Sequence, residues 1–154
     1  MGLAKRLQVP DDFFQLSQAI SYQYYNLQNY YTGLFTFGDG ESNNLAYTVN
    51  LTRNNTRVNP IFPTGGSTFS INAKFTPPYS LFSDKDYSNL ESLEEFQDEN
   101  GNPLTEVIDQ ERFRWLEFYK IKFNGTWYSP VYEKLTLKTQ VDFGFIGAYN
   151  LSRG

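Results

Sequence analysis

The amino-acid sequence predicts an all-β protein, an antiparallel, up-and-down segment of a transmembrane β-barrel. About five long amphipathic strands are expected, which leaves the barrel incomplete. Three observations lead to this prediction. Apolar and polar residues alternate, the alternating stretches are long, and aromatic residues make up 18% of a chain with net charge −4. Alternation gives a strand one apolar and one polar face, and about ten residues is the length that a tilted strand needs to cross a bilayer.

The alternation defines five strands. The first three cover residues 14–25, 45–53 and 67–76. The last two lie within 115–145 and are predicted to be joined by residues 129–133, because Pro130 cannot donate a ladder hydrogen bond. Residues 1–13 show no periodic signal beyond a short turn.

The two faces of these strands lead to different predictions. The apolar faces are expected to contact lipid, and their members on the last two strands are Ile121, Phe123, Leu135, Leu137, Val141 and Phe143. A lysine that faces lipid at mid-depth costs about 2–4 kcal/mol, so the polar faces are expected to line the lumen. The charged side chains assigned to the lumen are Lys74, Lys120, Lys122, Lys138 and Asp142.

Aromatic residues also concentrate near the strand ends. The residues in question are Tyr22, Tyr24, Tyr79, Trp115, Trp127 and Tyr128. In a membrane barrel such residues form girdles at the two interfaces, which is the arrangement predicted here. In a soluble protein they would instead belong to a core or to a sugar-binding face.

An acidic insert interrupts the strands. Residues 83–111 contain ten acidic residues and one basic residue, so the net charge of −9 there leaves +5 for the remainder. We expect a solvated loop with one short helix, in which Ser88 is the N-cap and Glu91 its capping-box partner. The absence of a linker or a low-complexity stretch predicts that residues 1–154 form a single unit.

The composition excludes several kinds of chemistry. The chain has no Cys and no His, so it has no Ser-His-Asp triad, no Cys-His pair and no His-ligated metal site. The clustered acidic residues 94, 95, 98 and 99 lie in a loop instead of a pocket that would separate their pKa values. We therefore expect no enzyme activity, no cofactor and no metal, and the acidic balance argues against nucleic acid as a partner.

Several segments resemble the bacterial surface-antigen barrel family. The turn at residues 59–67, with Pro60, Pro63, Thr64, Gly65 and Gly66, resembles the family's Pro-Thr-x-Gly turn between two strands. Residues 119–123, 129–131 and 134–137 resemble the next hairpin, and 143–147 resembles the strand end before the family's inward-folding loop. The resemblance implies a mid-barrel fragment with residues 59–67 and 129–133 on the periplasmic side. The loop at 26–44 and the acidic insert would then face outward.

The resemblance also implies a function. Members of this family fold barrel proteins and insert them into the bacterial outer membrane, without covalent chemistry. The implied partners are outer-membrane lipid and, in a full-length parent, unfolded outer-membrane proteins and accessory assembly lipoproteins. Two alternatives remain open from the residues alone. One is a soluble β-barrel or sandwich that binds an apolar ligand or glycan, and the other is a porin- or transporter-type barrel.

Overall fold

The computed structural model describes residues 1–9, 11–29, 38–56, 63–83, 85–87 and 89–149. The strands are β1 (Gly2–Arg6), β2 (Phe14–Leu27), β3 (Gly40–Asn54), β4 (Gly66–Phe75), β5 (Tyr119–Tyr132) and β6 (Leu135–Gly147). One α-helix, α1 (Thr105–Phe113), and three single 3₁₀ turns (Tyr79–Leu81, Leu90–Ser92 and Glu94–Phe96) complete the regular elements of these residues.

The strands form one open antiparallel sheet in the order β1-β2-β3-β4-β5-β6. Each strand lies beside its neighbour in sequence, which confirms the prediction of an all-β, up-and-down and incomplete structure. The predicted number of strands was one too few. β1 pairs with β2 from Gly2 opposite Ala19 to Arg6 opposite Gln15, and its five residues are too few to display a period.

The predicted connection between the last two strands was too long. β5 continues to Tyr132, and only Glu133 and Lys134 form the turn before β6. Pro130 lies within the ladder opposite Thr136, next to an irregularity in the register. The β4 ladder already ends at Tyr128, so Pro130 occupies a strand end, where a strand tolerates a residue without an N–H.

The chain packs as two compact units. Unit 1 takes its described residues from Met1–Ile20, Tyr47–Phe75 and Tyr119–Gly147. Unit 2 takes its described residues from Ser21–Ala46, Thr76–Phe118 and the short segment from Ala148. Unit 1 consists of paired strands and their turns, whereas unit 2 contains the helix and the 3₁₀ turns.

In unit 1, one glycine fixes the geometry at the start of β4. Gly66 has a φ of +97°, a backbone conformation that residues with a side chain rarely adopt. A Cβ at this position would lie 1.8 Å from the carbonyl oxygen of Asn55. The two chain segments meet there because the Asn55 amide donates a 2.8 Å hydrogen bond to the carbonyl of Ser67.

The acidic insert contributes a small hydrophobic core to unit 2. Leu90 has no exposed surface, and Tyr87, Phe96 and Ile108 are buried around it, with Leu93 packed alongside. The helix predicted to begin at Ser88 is not found in this form: Ser88 lies outside the described residues, and 3₁₀ turns follow it. The α-helix of this region is α1 instead. No side chain caps its N-terminus, and its residue Ile108 is buried in the core. Tertiary packing rather than capping therefore stabilises α1.

Polar contacts join the segments that flank the insert and hold part of the insert itself. The Glu117 carboxylate accepts hydrogen bonds from the Ser80 amide (3.1 Å) and hydroxyl (2.8 Å). Lys85 lies over the ring of Phe96 and pairs with Glu95 at 3.1 Å and with Glu111 at 3.8 Å. The hydrogen bond to Glu95 is the main reason that the pKa of Lys85 is raised. The only base of the acidic insert therefore offsets charge beside the core.

Substitution of Gly66 tests the turn geometry. Gly66→Ala is expected to lower the free energy of unfolding of unit 1 by about 2 kcal/mol or more, because backbone strain and overlap with Asn55 add together. The measurement is chemical denaturation followed by circular dichroism. Gly144→Ala is the control within unit 1, since an added Cβ there makes only ordinary contacts, at 3.5 Å with the Lys122 side chain and at 3.6 Å with the Ile121 carbonyl. Equal losses for the two variants would contradict the overlap with Asn55.

Substitution of Leu90 tests the small core of unit 2. Leu90→Ala is expected to cost about 2–5 kcal/mol, because it leaves a cavity where no surface is exposed. The measurement is the rate of limited proteolysis within the acidic insert, which should rise as the local unfolding free energy falls. Leu81→Ala, at a position that is 72% exposed, should leave the rate unchanged. An unchanged rate for Leu90→Ala would show that the insert needs no core.

Candidate functional site

The register of unit 1 aligns apolar side chains on one face of the sheet. Ile121 lies opposite Phe145, Phe123 opposite Phe143, and Gly125 opposite Val141. On the other side of β5, Phe123 also lies opposite Ile71 of β4. The residues predicted to face lipid therefore share one surface, the apolar face.

Aromatic side chains pack along this apolar face. The rings of Phe69 and Phe123 stack with centroids 6.5 Å apart, and Phe14 meets Phe69 edge-on at 5.6 Å. Phe145 contacts Tyr119 at 6.2 Å and Phe143 at 5.8 Å. These contacts run from strand to strand or, for Phe143 and Phe145, along β6, so they lie within the plane of the face and leave the outer surface of the rings available to another medium.

The exposure of this face is large for apolar residues. The exposed fraction is 59% for Phe143, 56% for Leu137 and 45% for Val141, and Leu135 is exposed as well, whereas Ile121 and Phe123 are half-buried between neighbouring strands. All described regular elements of unit 1 belong to the one sheet, so none of them forms a second layer over these side chains.

The opposite face of unit 1 is polar. Lys74 and Lys120 lie directly opposite each other, Lys122 lies opposite Asn72, and Lys138 lies opposite Tyr128. Asp142 accepts hydrogen bonds from the side-chain amides of Asn124 and Gln140. The structure thus places all five charged residues assigned to the lumen on the face opposite the apolar one.

The aromatic residues predicted to form girdles divide between the two units. Trp127 and Tyr128 are consecutive in β5, so their side chains leave opposite faces, and only Trp127 belongs to the apolar face. Tyr128 therefore lies on the polar face, and membership of an interfacial girdle stays a prediction for both residues. The indole of Trp127 lies back over Gly125, where an added Cβ would approach the ring to 2.7 Å.

The remaining four girdle residues lie in unit 2. Tyr22 and Tyr24 are exposed, and their hydroxyls donate hydrogen bonds to Asn43 (2.6 Å) and Glu41 (3.0 Å). Tyr79 and Trp115 are half-buried with ring centroids 4.5 Å apart. Burial raises the pKa of Tyr79. The second pair therefore packs within the unit and is less exposed than the first.

The turn that resembles the surface-antigen family is described only in part. Pro60 lies outside the described residues. Pro63 and Thr64 precede the strand, Gly65 is buried, and Gly66 begins β4 with the positive φ given above. Of the motif residues, Gly66 is the one whose identity the described backbone requires.

Sequence reasoning missed a charged cluster at the turn end of the apolar face. The Arg53 guanidinium bonds to the Asp11 carboxylate at 2.7 and 3.0 Å and to the Ser67 hydroxyl at 3.1 Å. It also lies over the rings of Phe13 (5.9 Å) and Phe14 (5.6 Å). The sequence indicated this cluster only through Arg53 itself, a charged residue at the end of the alternating apolar positions of β3. With its N–H groups paired, Arg53 can lie beside apolar side chains and ties three chain segments together.

The described residues offer little for catalysis or metal binding. Unit 2 has an open cleft of about 700 Å³ bordered by Asp39, Glu41, Glu111 and Arg114, in which Arg114 is already 3.8 Å from both Glu41 and Glu111. The described part of the chain contains no group of three or more acidic side chains that could hold a metal ion. None of its helices has the length and apolar character needed to span a membrane.

Comparisons of the chain with protein-family models, with curated proteins and with solved structures find no match. A function for this chain must therefore be argued from its two sheet faces, its loops and its sequence motifs.

Acid titration tests the Arg53 cluster. The pKa of Asp11 lies below its ordinary value of 3.8, chiefly because of the hydrogen bonds from Arg53, with a further one from the Phe13 amide. A carboxylate with a lowered pKa stabilises the folded state above its ordinary pKa and loses this effect as the pH falls through the lowered value. We expect the free energy of unfolding of unit 1 to fall below a pH of about 3.8.

The matched variants assign part of this pH dependence to one residue. Asp11→Asn should make it smaller, while Asp12→Asn, next to it in the turn, should leave it unchanged. The measurement is denaturation at a series of pH values. An identical pH profile for wild type and Asp11→Asn would show that the cluster contributes nothing to stability.

Proposed function

We propose that this chain forms wall strands and surface loops of a bacterial outer-membrane β-barrel that belongs to a barrel assembly factor of the BamA type. The observation that carries the membrane part of this proposal is the exposed apolar face of unit 1, with Leu137, Val141 and Phe143 each about half exposed. The assembly role rests on the resemblance of the turn and hairpin segments to the surface-antigen family.

The energetics of the apolar face favour lipid as its neighbour. Burial of a Val, Leu or Phe side chain is worth about 1.5–3 kcal/mol each, so exposure of a whole row to water would be costly. Contiguous exposed apolar surface of this kind marks an interaction site. Lipid covers such a surface without any shape matching, and the polar face with its lysines would then line the lumen.

Two connections have the lengths expected of a barrel of this kind. β5 and β6 are joined by a two-residue turn and 43 residues separate β4 from β5, whereas the β2–β3 and β3–β4 connections are similar, with 12 and 11 residues. Outer-membrane barrels have short periplasmic turns and long extracellular loops. In our proposal the acidic insert, with its own core, lies on the cell surface.

The open sheet edges also bear on the proposal. β1 and β6 are the outer strands of the sheet, and in a bilayer every backbone donor and acceptor needs a partner within the protein. The wall that we propose therefore requires further strands to pair with β1 and β6. Closure of the barrel by such strands would make this chain one part of a larger barrel.

The partners of the assembly role follow from the same resemblance. Outer-membrane lipid would contact the apolar face. Unfolded outer-membrane proteins and accessory assembly lipoproteins would be partners of the complete assembly factor. A porin- or transporter-type barrel would have the same wall without these protein partners. The soluble alternative, a β-barrel or sandwich with an apolar ligand or glycan, requires a layer that covers the apolar face.

A pair of lysine substitutions on β6 tests the lipid contact. Phe143→Lys is expected to lower membrane insertion, because a charge facing lipid costs about 2–4 kcal/mol, or roughly 30- to 1000-fold in the partition ratio. Gln140→Lys places the same charge on the polar face and should have little effect. The measurement is flotation, with phosphatidylcholine vesicles, of a refolded parent barrel that supplies the strands beside β1 and β6.

Two results would overturn the proposal. Equal flotation of the two variants would show that the apolar face does not contact lipid. A compact, cooperatively melting monomer in buffer without detergent would favour the soluble alternative. For the assembly role, a parent protein carrying Phe143→Lys should lose the ability to insert barrel clients, while Gln140→Lys should retain it.

A further inference from the structure

The dipeptide Asn-Gly occurs twice in the chain, at residues 100–101 and 124–125. An asparagine in this context can convert itself to an acid, because glycine has no side chain to keep the following backbone nitrogen away from the asparagine amide group. The first pair lies in an exposed turn of the acidic insert, whereas the second lies in the middle of β5. The fold therefore gives the two pairs different surroundings for the same chemistry.

This reaction requires only water as a second reactant. The backbone nitrogen of the glycine attacks Cγ of the asparagine, the bond from Cγ to Nδ2 breaks, and ammonia leaves with the proton of the backbone N–H. Water then opens the cyclic imide at one of its two carbonyl carbons, which leaves either aspartate or isoaspartate. Ring closure demands that the asparagine side chain rotate onto the glycine nitrogen and that this nitrogen be released from other hydrogen bonds.

Both movements are restrained at Asn124. β5 is an interior strand between β4 and β6, so ladder hydrogen bonds occupy its backbone amides. The side chain of Asn124 donates to the Asp142 carboxylate and accepts from the Ser70 hydroxyl at 3.5 Å. The ring of Trp127 also covers Gly125, where an added Cβ would lie 2.7 Å from it. The strand thus holds the reacting groups of this pair apart.

Asn100 lies in a turn that one carboxylate holds together. Asp98 accepts hydrogen bonds from the backbone amides of Asn100 and Asn102, each at 2.8 Å, and from the Asn102 side chain at 3.1 Å. The Gly101 amide donates to the Asp98 carbonyl at 3.0 Å. Because this bond belongs to an exposed turn and not to a ladder, local opening of the turn is enough to free the Gly101 nitrogen. Among the described residues, no atom outside the adjacent residues lies within 4 Å of an added Cβ on Gly101, so its surroundings are open.

The same turn contains an asparagine that cannot react by this route. Asn102 is followed by Pro103, and proline has no N–H proton to give up when the ring closes. The turn therefore has one reactive asparagine, and Asn102 serves as an internal reference beside it.

We propose that Asn100 is a site of spontaneous deamidation, and that the folded protein converts it to aspartate or isoaspartate while Asn124 stays intact. The new carboxylate would lie beside Asp98, to which the Asn100 side chain now hydrogen-bonds, so an attraction becomes a repulsion. The amide of Leu104 donates to the carbonyl of Phe96 at 2.8 Å across the base of this turn. Deamidation is therefore expected to loosen the insert next to its small core.

This site is independent of the lipid contact proposed above. It requires only a folded insert and a paired β5, and both are present whether the apolar face meets lipid or a protein layer. Failure of the deamidation proposal would leave the membrane assignment unchanged, and the reverse also holds.

The test is peptide mass spectrometry of the refolded 154-residue chain during incubation in mildly alkaline buffer with maltoside detergent. The Asn100 peptide should gain the mass of an amide-to-acid conversion, at a rate that rises with pH because the Gly101 nitrogen has to lose its proton. Asn124 should react about a hundredfold more slowly, a factor that corresponds to about 2.8 kcal/mol for opening of the paired strand.

Two controls separate the fold from the sequence. In guanidinium chloride the two Asn-Gly pairs should react at similar rates, because only their shared sequence remains. Circular dichroism verifies the strand content of the chain in detergent before the incubation begins. Asn100→Gln should abolish the mass increase of its peptide, since a glutamine side chain would have to close a larger ring.

Matched variants test the consequence of the modification. Asn100→Asp should raise the rate of limited proteolysis within the insert several-fold, because it places a second carboxylate beside Asp98. Asn100→Gln keeps a neutral amide at this position and should change the rate little.

Three results would overturn the proposal. One is an equal rate at Asn100 and Asn124 in the folded chain, which would mean that the fold does not select between them. Another is reaction of Asn100 in guanidinium chloride but not in the folded chain, which would show that the turn protects it. Equal proteolysis of Asn100→Asp and Asn100→Gln would refute the loosening of the insert.

Discussion

The apolar face of unit 1 is the constraint on which the rest of the structure depends. Backbone pairing in register brings Phe123, Phe143 and their neighbours to one side of the sheet, and a sheet with such a face must cover it. The side-to-side ring contacts order this surface without covering it. Its neighbour therefore has to come from outside the described sheet, and lipid is the neighbour that needs no complementary shape.

The same constraint explains where charge is placed. Arg53 lies at the turn end of the apolar face and has its guanidinium bonded to Asp11 and Ser67, because an unpaired charge beside the apolar rings would be costly. The lysines lie on the opposite face. There Lys74 and Lys120 are direct cross-strand partners on the polar side of the sheet, away from the apolar rings.

Long alternating segments were predictable from the sequence, whereas short or tertiary features were not. The strands now called β2 to β6 were recognised because each shows a period of two over about ten residues. β1 is too short to show this period. α1 lacks a side-chain cap and is stabilised by the burial of Ile108, while the capping pattern at Ser88 and Glu91 drew the helix prediction to the wrong segment. The extent of β5 was also missed, because Pro130 is tolerated at a strand end.

By itself, the sequence determined the all-β class, the two faces of the long strands and the absence of thiol and imidazole chemistry. These properties are local, since side-chain direction on a strand depends only on position along that strand. Tertiary structure decided which side chains meet across strands. Lys74 opposite Lys120, Arg53 beside Asp11 and the closeness of Gly66 to Asn55 all depend on register and turn geometry between distant segments. Alternation along one strand carries no information about register, because it is unchanged when the neighbouring strand slides by two residues.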